Sequence, residues 1–443
     1  MFIYKQRTFS RIIIFSIILT ILSGTILLSL PIAQKSYISV VDCLFTATSC
    51  VSVTGTLTIS FDYFTVFGKI VIMLLTQIGG VSLVTLSLFL LSTFSSKFTI
   101  TTKAMAGQMF DLESLKNIGQ MLTFIVLFTL GLELVGALII YFIIHKDYTV
   151  AQAIFNSIFH SISSFCSAGF SVFPNSLIHF QNNIPMLLTT ASLILGGTLG
   201  FITWYELFFY IKNKLQKKRA YISLTTKVIL SVTITLVLIA TLLLTFLEGN
   251  NSFNDKSIFT ALYNMFFNAI YYRSTGFTSI NLDNVKMATL FLILIYGFIG
   301  SAPGSTGGGI KTTTFAIFIA TIRSVIHART SVELKLRKIP QDEIFKALAI
   351  LSLSFSWIIF ITFLLLLSEA DKLFSDLFFE TLSTFATLGI STGISSQLSN
   401  WGKLLIVSNM IIGRIGTLTI LLAIKRKSDK TEFQYPEERI TIS

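Results

Sequence analysis

The chain has 443 residues, 53% of them hydrophobic and only 12% charged, with a mean hydropathy of +0.78. That balance excludes a soluble domain of ordinary composition and marks an integral membrane protein. A net charge of +12 would suggest nucleic acid as a partner for a soluble chain, but here the basic residues are sorted by side and report topology, so no nucleic acid is expected.

A bilayer core of roughly 30 Å needs about 20 apolar residues per helix. The first run that qualifies lies near 11–30. It lacks a small-residue cleavage pattern, so it reads as a retained span and not a cleaved leader. A shorter apolar segment near 41–52 follows, then a loop (Ser52, Val53, Thr54, Gly55, Thr56) and a second span near 65–94. Residues 1–94 thus form one unit. In residues 95–222 the order recurs: a span near 118–144, a short segment at 152–166, the loop Cys166, Ser167, Ala168, Gly169, Phe170, and a span near 184–211. Residues 223–340 repeat it with 224–247, 257–273, the loop Arg273, Ser274, Thr275, Gly276, Phe277, and an apolar run at 286–322 interrupted by residues 300–314. Residues 341–428 do so with 344–368, 374–387, the loop Ala386, Thr387, Leu388, Gly389, Ile390, and a span near 402–424; residues 429–443 form a tail.

The four units share a register. Each short segment starts thirteen residues before a glycine (Gly55, Gly169, Gly276, Gly389) and carries a phenylalanine ten residues before it: Phe45, Phe159, Phe266 and Phe379. The glycines lie 114, 107 and 113 residues apart, a period far longer than that of a solenoid. Segments too short to cross the bilayer are re-entrant candidates, and non-helical backbone at that depth must line a cavity or be buried in protein. The expected fold is therefore an all-α integral membrane protein with eight transmembrane helices and four re-entrant half-helices around a pseudo-fourfold pore.

Charge sets the orientation. Twenty-three of the 33 basic residues fall in the termini and the connections between units, eight fall on the re-entrant side, and Lys311 and Arg414 lie within apolar runs. Both termini are accordingly expected in the cytoplasm. The basic stretches 212–227 and 323–346 suit a cytoplasmic regulator and anionic lipid headgroups equally well.

The four loops call for backbone chemistry. Rings of carbonyls replace the hydration shell of a bare cation, and glycine reaches the dihedral angles this requires. The candidate filter is Ser52, Val53, Thr54, Gly55; Ser167, Ala168, Gly169; Ser274, Thr275, Gly276; and Thr387, Leu388, Gly389. Half-helix C-terminal ends add a field that favours cations. Asp42, Asp62, Asp255, Asp283, Asp371, Asp376 and Glu380 are candidates for enriching cations at the outer mouth.

The break at 300–314 holds five glycines and a proline, through which a helix cannot persist. It is expected to be a flexible intramembrane loop that plugs the pore from the cytoplasmic side, with Gly304, Ser305, Thr306, Gly307, Gly308, Gly309 and Lys311 as its gate residues. A phosphate-binding loop is the competing reading. It fails because Ile310 separates Gly309 from Lys311 and no strand precedes the motif. Intramembrane charge marks a pathway by default. Lys311 has two positions open to it, the pore or the cytoplasmic interface, and Glu133 reads as a packed, partnered residue.

Three cysteines without metal spacing and four scattered histidines give no support for metal or nucleophilic catalysis. An intramembrane enzyme is the remote alternative.

These stretches resemble the Trk/Ktr/HKT superfamily of potassium transporters. The resemblance rests on the loops with Ser52-Val53-Thr54-Gly55 and Ser274-Thr275-Gly276-Phe277, on Thr76-Gln77-Ile78-Gly79-Gly80, and on Leu195–Phe201, Gly300–Thr314 and Gly413-Arg414-Ile415-Gly416. Length and the tail Tyr435-Pro436-Glu437-Glu438-Arg439 look like the Ktr-type membrane subunit. The resemblance implies potassium uptake at the plasma membrane of a bacterium and Arg414 projecting toward the pore beneath the filter as a gate residue. It also implies a homodimer on a cytoplasmic nucleotide-binding regulatory ring. No cofactor belongs to this chain itself; potassium is the transported ion, sodium an activator or coupling ion, and adenine nucleotide sits on the partner. Plant members with serine at the first filter glycine prefer sodium, so Gly55 implies potassium. A sodium-coupled potassium symporter and a weakly selective potassium/sodium transporter remain the rival readings. Relatives read Gly-Gly-Leu-Gly where this chain has Gly79-Gly80-Val81-Ser82.

Overall fold

The computed structural model describes residues 2–81, 118–249, 251–253, 257–417 and 419–420. The second half of the expected second span, Ser82, Lys97, Lys103, Lys116, Asp255, the end of the last span and the tail lie outside the described residues. Among the described residues four helices are long and apolar enough to cross a bilayer, and each opens one of the expected units: α1 (Phe2–Ser29), α4 (Ile118–Ile144), α8 (Leu224–Glu248) and α12 (Gln341–Ser368). Each is followed by a shorter helix: α2 (Val40–Ser52), α5 (Val150–Phe165), α9 (Ile258–Tyr271) and α13 (Phe374–Phe385). Ser39, Thr149 and Ser257 cap three of these, their hydroxyls accepting the backbone N–H of the third helical residue. Leu373 precedes the fourth without a side-chain cap.

The closing elements differ from four simple spans. α3 (Val66–Val81) is the described part of the first. The expected continuous helix 184–211 is instead α6 (Ile184–Thr198) and α7 (Phe201–Leu215), bent by 100°. The hinge is Gly200, at φ +88°, where a Cβ would lie 2.7 Å from the Pro303 carbonyl oxygen. The third closing run divides into α10 (Met287–Phe298) and α11 (Thr312–Ile326), so the break spans 299–311 and not 300–314. The last, α14 (Asn400–Ile415), ends at Gly416, whose φ of +89° repeats that of Gly200.

Packing follows chain order. Each short helix packs against the closing helix of the unit before it: α5 on α3, α9 on α6, α13 on α10, and α2 on α14, which joins the end of the described chain to its start. The short helices carry a polar stripe into an otherwise apolar interior, and the exterior is apolar. Thr46, Thr48, Ser49, Ser161, Ser163, Ser164, Thr381, Ser383 and Thr384 are buried, while Phe15, Leu127, Phe142 and Phe246 stand on the surface. Apolar side chains facing outward are the surface a bilayer solvates. Among the described residues the only strands are Glu333–Leu334 and Arg337–Lys338, an antiparallel hairpin turned by Lys335 and Leu336, both at positive φ.

Candidate functional site

The four expected filter loops meet at one place. A Cβ on Gly55 would collide with the Ala168 carbonyl oxygen. One on Gly169 would lie 2.6 Å from the Gly276 nitrogen, and one on Gly276 2.6 Å from the Gly389 carbonyl oxygen. One on Gly389 would collide with the Thr54 carbonyl oxygen, so the contacts run once around in chain order and close. Any side chain at these positions meets backbone, which cannot move aside as a flexible side chain can.

Dihedral freedom explains three of the four glycines. Gly55, Gly169 and Gly389 have φ of +91°, +74° and +77°, and two residues earlier Val53, Ser167 and Thr387 are also at positive φ. Neither Gly276 nor Ser274 is, so the third loop differs from the other three in backbone conformation. Gly276 is required by space alone.

The third loop departs in a second way. A serine stands six residues before the glycine in the other three: Ser49 Oγ accepts the Gly55 N–H at 3.0 Å, Ser163 Oγ donates to the Phe170 carbonyl at 2.7 Å, and Ser383 Oγ donates to the Ile390 carbonyl at 2.5 Å. The third unit has Ile270 there and anchors its returning chain through Asn268, whose side chain bonds both the nitrogen (3.0 Å) and the Oγ (2.8 Å) of Ser279. The fixed spacing of the three serines, six residues before each glycine, is the sequence signal that marks them.

The expected gate loop lies against this ring. The Thr306 and Ser167 hydroxyls are 3.0 Å apart, and the Gly308 N–H donates to Thr387 Oγ1 at 2.9 Å. A Cβ on Gly307 would lie 3.5 Å from that of Ser274. Ser167, Ser274 and Thr387 are the residues two before the glycine in loops two, three and four, so Thr306 and Gly308 contact two of these positions and Gly307 lies beside the third. The first unit is reached through Arg414, whose guanidinium donates to the Thr306 carbonyl and to those of Gly79 and Gly80 on α3. Lys311 turns back into the loop, its Nζ donating to the Gly307 carbonyl at 2.8 Å. Gly304 accepts the Phe201 N–H at 2.9 Å, Ser305 Oγ donates to the Ala302 carbonyl, and Gly309 sits at φ +69° against Gly300. Ala302 donates to the Thr198 carbonyl, so the loop rests in the angle that Gly200 opens.

Glycines in the closing helices allow this crowding. A Cβ on Gly79, Gly197 or Gly413 would collide with the carbonyl of Val51, Phe165 or Phe385. Each of these carbonyls lies four residues before a loop glycine.

Of the acids expected at the outer mouth, two are engaged internally. Glu380 is buried and accepts from Ser391 (2.7 Å) and Ser395, which ties down the chain leaving the fourth loop. Asp42 accepts from Ser39, Thr58 and Lys403. Asp62 is exposed beside Lys69. Glu133 accepts from Gln77 Nε2 at 3.1 Å, with Cys166 adjacent.

The family described as TrkH, cation transport protein, matches residues 3–434. The chain is 33% identical to the Ktr system potassium uptake protein B of Vibrio alginolyticus, over 97% of this chain and 94% of that one. It is 32% identical to the potassium/sodium uptake protein NtpJ of Enterococcus hirae, over 95% and 94%. The crystal structure of the potassium transporter TrkH from Vibrio parahaemolyticus superposes with a TM-score of 0.74 at 18% identity, covering 95% of this chain and 85% of that one, a likeness of fold.

Proposed function

The chain belongs to the TrkH cation transport protein family, and from that premise we propose that it takes up potassium across the plasma membrane through a pseudo-fourfold pore framed by its four short helices. It is a transporter and not an enzyme, as the names of its relatives indicate. The observation that carries the reading is the ring of backbone at Gly55, Gly169, Gly276 and Gly389, each glycine crowded by the next loop in order. Carbonyls from these loops replace the ion's water, and the buried loop holds that geometry without reorganisation. The segment 299–311 is the gate: it lies across loops two, three and four, and Arg414 fastens it to α3 of the first unit and places a fixed positive charge beneath the ring.

The repeats at 1–94, 95–222, 223–340 and 341–428, cytoplasmic termini, a homodimer and a nucleotide-binding regulatory ring complete the proposal. Nucleotide would act on the partner, while sodium would act here as activator or coupling ion. The match to a relative named for potassium and sodium uptake favours one second reading, a weakly selective or sodium-coupled carrier.

The test is flux from the purified full chain in liposomes under an imposed potassium gradient, beside Gly55→Ser. Potassium should pass in preference to sodium, and the variant should lose that preference. Equal passage of both ions in both proteins would sink the filter assignment; flux only with added sodium would establish the second reading.

A further inference from the structure

After α11 the chain turns back along the helix. The Ser324 hydroxyl donates to the Ser331 carbonyl at 2.9 Å, and Val332 and Ile339 pack on Ala320 with Leu224, Ile317 and Ile344 around them. The hairpin Glu333–Lys338 therefore folds back alongside the helix, from Ile326 to the level of Ala320, about 9 Å along the axis at 1.5 Å per residue. The outward stripe of α11 is apolar to its last turn, with Ile319 and Ile322 followed by Val325 and Ile326, each 74% exposed. Beside that stripe the hairpin turn presents Leu336, which is 97% exposed. Between hairpin and helix opens a cavity of about 340 Å³ lined by Arg323, Ser324, Arg329, Ser331, Glu333 and Lys335. Its acid, Glu333, lies 3.6 Å from Arg329, and Arg337 and Lys338 on the second strand add further positive charge.

An apolar tip next to a basic, hydroxyl-lined cavity complements an amphiphile with an anionic head. We propose that this pocket binds the phosphate of an anionic membrane phospholipid. Arg323, Arg329 and Lys335 hold the phosphate, the hydroxyls of Ser324 and Ser331 stay engaged with the Ser331 carbonyl and Glu333 and so shape the cavity wall, and Leu336 sits at the acyl-chain boundary. The inference rests on the reading of the chain as a membrane transporter and gives that reading a regulatory input. α11 begins one residue after Lys311, whose amine holds the Gly307 carbonyl, so a headgroup that fixes the far end of α11 also fixes the anchor of the gate loop.

The experiment uses the full chain in phosphatidylcholine vesicles with and without phosphatidylglycerol, and two readouts that need no transport. Leu336→Trp should add fluorescence that brominated phospholipid quenches, beyond the signal of the parent's own three tryptophans. Phosphatidylglycerol retained through purification and counted by native mass spectrometry should fall about fivefold for each cation removed in Arg323→Gln and Lys335→Gln. These sites are exposed, so the variants should unfold at the parent's temperature. Equal retention by parent and variants, or no quenching at residue 336, would overturn the proposal. Displacement of the lipid by millimolar inorganic phosphate would assign the pocket to a free anion instead. Shielding of Leu336→Trp by a cytosolic protein ring, with lipid retention unchanged, would make this a protein docking face. Absence of potassium flux would count against the transport reading and leave both readouts standing.

Discussion

Asp42, in the first turn of α2, and Lys403, in the first turn of α14, form a partly buried ion pair at 2.7 Å across 361 residues of sequence. The pair fastens the last unit to the first. Asp42 also accepts from Ser39 and Thr58, so its carboxylate is well satisfied, whereas Lys403 depends on it. Removing one partner leaves an uncompensated charge; for a fully buried pair the cost is roughly 3–5 kcal/mol, and for this partly buried one it is smaller. Lys403→Met should lower the unfolding temperature in detergent, and the double variant Asp42→Asn with Lys403→Met should recover part of the loss. Strictly additive losses would show that the two groups do not interact.

Bound potassium should stabilise the folded chain. A ligand at 100 times its Kd contributes roughly 2.7 kcal/mol. Potassium should therefore raise the unfolding temperature above that in sodium or choline, and Gly55→Ser should abolish the difference. A rise that is the same for every cation would speak for screening and not for a site.

Arg414 reaches the gate loop and α3 together, which a planar guanidinium does and a single ammonium does not. Each such charge-assisted hydrogen bond contributes about 1.5–3 kcal/mol. Arg414→Lys and Arg414→Ala should therefore both raise flux at fixed gradient, by roughly tenfold if one bond's worth of closure is lost. Unchanged flux in both would separate Arg414 from gating.

Deletion of residues 304–309 removes the contacts to Ser167 and Thr387 and should raise flux while leaving the ring, and hence the potassium preference, in place. Loss of preference together with raised flux would show that the loop also supports the ring.

Gly200→Ala combines a positive φ with a close approach to the Pro303 carbonyl, and should destabilise by about 1–3 kcal/mol. Gly131 in α4 has open space around it, and Gly131→Ala should stay within about 1 kcal/mol of the parent. Thermal unfolding of the two variants side by side measures the difference.

Much of this was legible in the chain. Hydropathy located α1, α4, α8 and α12 because burial in hydrocarbon demands long apolar helices, and glycine and proline density located the break after Phe298 because neither residue sustains a helix. The same signal is present at Gly196, Gly197 and Gly200, inside a stretch expected to be one continuous span. Its true consequence, a 100° bend, depends on the loop that occupies the angle. Asp42 and Glu380 looked like mouth acids because sequence does not show which carboxylates find donors.

What the sequence determined by itself was periodic or compositional: helix lengths, the sidedness of lysine and arginine, and the recurrence of a glycine at a fixed distance from each short segment. These depend on local physics and on the bilayer as solvent. The tertiary structure decided which backbone meets which. It placed Gly276 by space where the other three glycines serve by dihedral angle, set Thr306, Gly307 and Gly308 under three loops, and turned Lys311 inward. Those outcomes follow from close approach between segments more than a hundred residues apart, and close approach is a property of the packed chain that no local pattern encodes.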